Sequence, residues 1–389
     1  MDPLTRRAMM QWGITSLPLV AASGWGSAGR QSNGNELAAL GRLVKLRGDG
    51  PSLTPSETVE LLGGIVGEHG IEADYYSNGG VVAELEERMA AILGKERAVF
   101  LATGTLANHL AVRVQANDDH RVAVQYDSHL YNDSGDCAEV LSNLNLVPLA
   151  HGKGTFTLEE IEELIERTAS GRVTTGLGVI VIESPIRRRL GEMFDYDEMQ
   201  RICAFARERG IRTHLDGARL FMAAGYTGIS PREYASHFDT VYVSMWKYFG
   251  ASSGAILAGP AALLDDLYHP RRMFGGALPG AWPLAAVSLH SIEGFEERFA
   301  AGVAASEQLI VALESVRGLR VERIPNGTNI FKLHVAAPDL DAYRERVADA
   351  GILLPGPQPW GGFALTVNET LARRPIEEIT RGLVDAVRG

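Results

Sequence analysis

Three short stretches hold residue types that work together in one kind of chemistry. Lys247 stands in VYVSMWKYFGASSGAIL, between an apolar run and a run of small residues. A lysine leaving a buried strand is costly unless it is paired or covalently occupied. Upstream, Asp216 ends the apolar run of THLDGARLFMAAG. That acid reads in two ways, as a helix N-cap or as the partner of a cationic ligand atom. Further upstream, FLATGTLANHLAV sets Thr-Gly-Thr between a strand and a helix expected to begin near Leu106. A helix N-terminus offers unpaired N–H groups and the positive end of a dipole, which suits a phosphate. Alone, the turn is also an ordinary β–α connection. Pyridoxal 5′-phosphate needs all three: N–H groups for its phosphate, a carboxylate for its pyridinium nitrogen, a lysine for its aldehyde. The carboxylate keeps the ring nitrogen protonated, so the ring accepts electrons when a bond at the substrate Cα breaks. With Lys247 and the Thr-Gly-Thr turn in the same chain, the nitrogen-partner reading of Asp216 is preferred.

Elements able to position such groups alternate along the chain. RAVFLA, RVAVQYD, LNLVPLA, GVIVIES, IRTHLDG, TVYVSMW and SGAILAG read as buried strands. Several are apolar on both faces, as a sheet covered by helices on each side requires. Helices over 158–168 and 195–209 fall between them, and strand–helix alternation means a mostly parallel α/β sheet. After about Gly294 a long helix over 294–316 leads to strands in LRVERI, TNIFKLHV and FALTVNET, with helices near 339–350 and 375–388. A smaller α+β domain is expected there. The divisions are 1–35 as a leader and linker, 36–293 as the large domain and 294–389 as the small one.

These motifs together resemble the threonine aldolase and β-eliminating lyase family of fold-type I pyridoxal phosphate enzymes. LRGDG, ATGTLAN, DSHLY, HLDGARLFMAA, SMWKYFGASSGAILAG and RRMFGGALPGAWPLAA carry the resemblance in order. It implies a fold-type I transferase-like architecture with a seven-stranded sheet, and an amino acid as the small-molecule substrate. It also implies roles. Lys247 would bond the cofactor aldehyde and Asp216 would pair with the ring nitrogen. His129 would stack on the ring and accept a proton, with Glu183 beside it. Gly104 and Thr105 would hold phosphate through backbone N–H groups, with Arg272 adding charge. Arg219 would sit near the ring oxygen or substrate carboxylate, and Tyr76 near a subunit boundary of a homo-oligomer, a dimer or a tetramer.

The chain departs from the family where substrate is read. Ser184, Pro185 and Ile186 replace the usual Asn-Thr-His; Gly48 replaces a serine, and Trp246 and Tyr248 flank the lysine. The C-terminal arginine expected to clamp the substrate carboxylate falls near Ala364 and is missing, and an arginine of the glycine-rich stretch aligns with Pro279. Arg187, Arg188 and Arg189 crowd the loop of the lost histidine, either as a replacement clamp or as a solvated charge run. The reading is a lyase acting on an amino acid, by Cα–Cβ cleavage of a β-hydroxy amino acid or by β-elimination. Transamination, racemisation, or cofactor binding with little catalysis are the alternatives.

The net charge of −11 argues against nucleic acid or an anionic membrane as the main partner. Two cysteines make neither a disulfide framework nor a zinc site, and Cys203 reads as a buried thiol. Residues 1–35 begin with Arg6–Arg7, continue with an apolar stretch and close on small residues around Gly26–Ala28. That is the layout of a twin-arginine-like export signal, too short to span a bilayer, and implies a periplasmic or exported chain. A disordered extension on a cytoplasmic protein is the other reading.

Overall fold

The computed structural model describes residues 41–388 apart from residue 117. The expected export signal lies outside the described residues. No helix among those described is long and apolar enough to cross a membrane.

Strands are numbered along the chain from β1 (Val44–Lys45). All seven expected strands form one sheet: β2 (Arg97–Leu101), β3 (Arg121–Gln125), β4 (Asn145–Leu149), β5 (Leu177–Glu183), β6 (Arg212–Asp216), β7 (Thr240–Ser244) and β8 (Ala255–Gly259). Their order is β2-β8-β7-β6-β5-β3-β4. β8 runs antiparallel to both neighbours and the remaining pairs are parallel. Every residue of β5, β7 and β8 is buried, which explains why they read as continuous apolar runs rather than alternations.

The helix 158–169 opens with a capping box, Thr157 and Glu160 each bonding the other's backbone N–H. The helix expected near Leu106 begins earlier, at Gly104, because Thr103 caps it by accepting the Leu106 N–H at 3.2 Å. That correction moves its free N–H groups onto the Thr-Gly-Thr turn itself.

The small domain holds β9 (Leu319–Arg323), β10 (Ile330–Val335) and β12 (Gly362–Thr366) in an antiparallel sheet, with β11 (Ile352–Leu353) beside it in sequence. β11 pairs in parallel with β1, and Val44 and Leu46 are buried in the small domain's own core. Residues 44–46 fold with the C-terminal part because two apolar side chains there fill its core. Both cysteines are free and buried, and burial pushes the Cys203 thiol up to about 12.

Candidate active site

The carboxyl ends of adjacent parallel strands place the chemistry. Glu183 on β5 is in register with Asp216 on β6, and Asp216 with Tyr242 on β7. Open α/β sheets bind ligands at that end. A cavity of about 590 Å³ lies there, lined among others by Thr103, Gly104, Thr105, His129, Arg219 and Lys247. A second, of about 620 Å³, shares Arg187, Arg219, Trp246 and Lys247 with the first and extends to the 48–53 segment.

Lys247 lies past the end of β7, its Nζ 5.9 Å from the ring centres of both Tyr242 and Trp246. Burial, with Arg219 alongside, pulls its amine down to about 8, against the opposing effect of Asp216. Asp216 is buried and accepts from Asn108 Nδ2 at 2.5 Å and from the Ala218 N–H at 3.1 Å. The following helix starts only at Leu220, with Arg219 in the cap position. Asp216 therefore closes a local turn and is not that helix's N-cap.

Glu183 is a positioning carboxylate. It accepts the His129 N–H at 2.6 Å and the Arg187 N–H at 3.1 Å, so one side chain fixes two cavity-lining residues. Gln125 on β3 bonds both backbone groups of Glu183, each at 2.8 Å. Burial, and Asp216 next to it, push the Glu183 carboxyl up to about 7.

His129 begins a one-turn helix capped by Ser128. Burial lowers the pKa of its imidazole, keeping it neutral. The Ser134 hydroxyl donates to the His129 carbonyl at 3.1 Å and lies 3.3 Å from Nδ1. Ser134 thus engages Nδ1 and leaves Nε2 as the ring nitrogen with no hydrogen bond among the described residues.

Arg219 pairs with Asp49 at 2.8 Å, both about nine-tenths buried. Its Nε has no partner among the described residues. A buried donor without an acceptor, on the wall of both cavities, fits an oxygen-rich ligand. Gly104 fits one too: a Cβ there would overlap the Tyr242 hydroxyl, so the helix can start this close to the site only with glycine. The donor set as a whole, an amine, a carboxylate and a helix N-terminus, suits pyridoxal phosphate.

Tyr76 and Arg272 do not line either cavity. They lie together, the Arg272 guanidinium 4.4 Å from the centre of the Tyr76 ring. The arginine cluster divides its tasks. Arg188 holds Asp133 with two bonds at 2.7 and 3.0 Å, and Arg189 pairs with Asp127 and Glu192. Arg187 reaches Asp133 only at 4.0 Å and its side chain is 61% exposed at the cavity mouth. Asp49, Asn108 and His214 were not singled out from sequence, although each sits inside a quoted motif. The available signal was Asn108 and Gln115 recurring on one otherwise apolar helix stripe.

Comparison with known proteins agrees with this geometry. The profile of the β-eliminating lyase family matches residues 68–336. A probable low-specificity L-threonine aldolase of Schizosaccharomyces pombe is 30% identical over 71% of this chain and 72% of its own length. A low-specificity L-threonine aldolase of Candida albicans is 29% identical over 56% of this chain, which spans only 58% of that relative. A crystal structure of a candidate L-allo-threonine aldolase from Listeria monocytogenes superposes with a TM-score of 0.74 at 27% identity, over 89% of this chain and 97% of that one. The architecture is that of fold-type I pyridoxal phosphate enzymes. The chain belongs to the β-eliminating lyase family.

Proposed function

We propose that the protein is a pyridoxal phosphate-dependent carbon–carbon lyase that cleaves the Cα–Cβ bond of a β-hydroxy amino acid. The observation that carries this is the convergence of Lys247, Arg219, His129 and the Thr103–Thr105 helix start on one cavity, with buried Asp216 at the adjoining strand end. The threonine aldolase relatives point to the same bond.

The bound cofactor supplies an electron sink for the bond that breaks. The rest falls to the chain. Lys247 provides the amine that holds the cofactor and gives way to the substrate amine. Gly104 and Thr105 offer helix N–H groups to phosphate, and Asp216 offers its carboxylate to the ring nitrogen. His129 Nε2 takes the β-hydroxyl proton as the Cα–Cβ electron pair moves towards Cα and an aldehyde leaves. A proton returned to Cα completes glycine. Arg219 Nε and the Arg187 guanidinium receive the substrate carboxylate, so Arg187 takes over from the arginine missing near Ala364.

Incubation with L-threonine, L-allo-threonine and 3-phenylserine, with aldehyde and glycine both quantified, tests the reaction. Equal yields of the two are expected. Ammonia with a keto acid would move the reading to elimination, and an amino-group transfer to added keto acid would move it to transamination. Export through residues 1–35 and assembly as a homo-oligomer belong to the same proposal; N-terminal sequencing of exported protein and light scattering check them.

A further inference from the structure

Behind Asp216 lies a chain of buried polar side chains with no contact to solvent. Gln115, Thr240, His214 and Asn108 are at most 1% exposed. Gln115 Nε2 donates to Thr240 Oγ1 at 2.7 Å and to the Ala111 carbonyl at 3.1 Å. Thr240 Oγ1 lies 2.8 Å from His214 Nδ1, and His214 Nε2 lies 3.0 Å from Asn108 Oδ1. Asn108 Nδ2 then donates to Asp216 Oδ2 at 2.5 Å.

The direction of the relay follows from its Asp216 end together with the burial of the imidazole. At one end an ionised carboxylate only accepts, so Asn108 must present its amide N–H to Asp216 and its carbonyl to His214. That demands a proton on His214 Nε2. At the other end Gln115 donates to one lone pair of Thr240 Oγ1, so the Thr240 proton stays available to His214 Nδ1. With Nε2 protonated and the buried ring neutral, Nδ1 is the bare nitrogen and accepts from the Thr240 hydroxyl.

We propose that Gln115, Thr240, His214 and Asn108 form a one-directional hydrogen-bond relay that positions Asp216 for the cofactor's ring nitrogen. This rests on the function proposed above. Burial pulls the His214 pKa down to about 4, which keeps the imidazole in the required neutral form at neutral pH. The helix 104–115 therefore serves two ends of the same ligand. Gly104 and Thr105 face the phosphate end, while Asn108 and Gln115, lower on the same stripe, fix the carboxylate at the ring end. The four are positioning residues: only Asp216 meets the ligand.

Two measurements test the relay. In the chain without cofactor, ¹⁵N-histidine NMR, with His214→Gln identifying the signal, should show His214 protonated at Nε2 and bare at Nδ1 from pH 6 to 8. The opposite tautomer, or a doubly protonated ring, would overturn the relay whether or not the enzyme reading holds. In the loaded protein, Asn108→Ala and Thr240→Val should each weaken retention of pyridoxal phosphate by about tenfold and displace the pH titration of its visible absorbance. Thr240→Ser, which keeps the hydroxyl, should restore wild-type values. Equal defects in Thr240→Ser and Thr240→Val, or an unchanged titration in folded Asn108→Ala, would reduce the residues to packing. Absence of visible absorbance in wild type would count against the enzyme reading, leaving the NMR result to decide the relay.

Discussion

An amine buried beside a guanidinium is a different reagent from a surface lysine. At neutral pH a side chain of ordinary pKa is almost wholly protonated, whereas an amine titrating near 8 is about one-tenth neutral at pH 7. Only the neutral form attacks an aldehyde. Uptake of pyridoxal phosphate by the cofactor-free protein should therefore rise about tenfold per pH unit below 8 and level off above it. Stopped-flow absorbance checks this, and a rise continuing to pH 10 would remove the role given to burial. Arg187 makes a separate prediction. Its side chain reaches Asp133 only at 4.0 Å, so removing it disturbs little within the protein. Arg187→Ala should raise the Kd for amino acids by roughly tenfold to a hundredfold, the worth of a charge-assisted hydrogen bond, with the cofactor's own absorbance unchanged. An unaltered Kd would return Arg187 to a solvated charge.

At the scale of elements, capping and register carry the site. Thr157 caps a helix that lines neither cavity, so Thr157→Ala should cost about 1 kcal/mol in urea unfolding and leave turnover intact. Lost turnover at that position would mean that the strands are less rigid than their burial suggests. The seven main strands were legible because several are uninterrupted apolar runs and all alternate with helical patterns. β1 was not, since two residues show no periodicity and its partner β11 is remote in sequence. Lys247 and Asp216 were legible because a charge in apolar surroundings asks for a reason. Asp49 was not, because its meaning depends on Arg219, which only the fold brings within 2.8 Å. His214 escaped notice for the same reason: a histidine in a strand says nothing until Asn108 and Thr240 flank it.

For the molecule as a whole, the 44–53 segment ties the small domain to the site. Val44 and Leu46 lie in the small domain's core, and Asn368 bonds the carbonyls of Lys45 and Gly48. Lys45 Nζ holds the carbonyls of Pro51 and Ser52 at 2.8 and 2.9 Å. Gly50 rests against the backbone of Lys247 and Tyr248, where a Cβ would come within 2.8 Å of the Tyr248 Cα. Asp49 closes the link by pairing with Arg219. Removing one partner of a buried ion pair leaves the other uncompensated, so Asp49→Ala should destabilise the protein by about 3–5 kcal/mol. Urea unfolding measures it, and a loss below about 1 kcal/mol would show that water reaches Arg219 freely.

Every role proposed for this cavity depends on pyridoxal phosphate bound at Lys247. Borohydride reduction of the loaded protein, followed by mass spectrometry of its peptides, tests it most directly. One reduced pyridoxal phosphate adduct is expected, on the peptide containing Lys247, and none in Lys247→Ala. An adduct on another lysine in the wild type, or no adduct after incubation with excess cofactor, would contradict it.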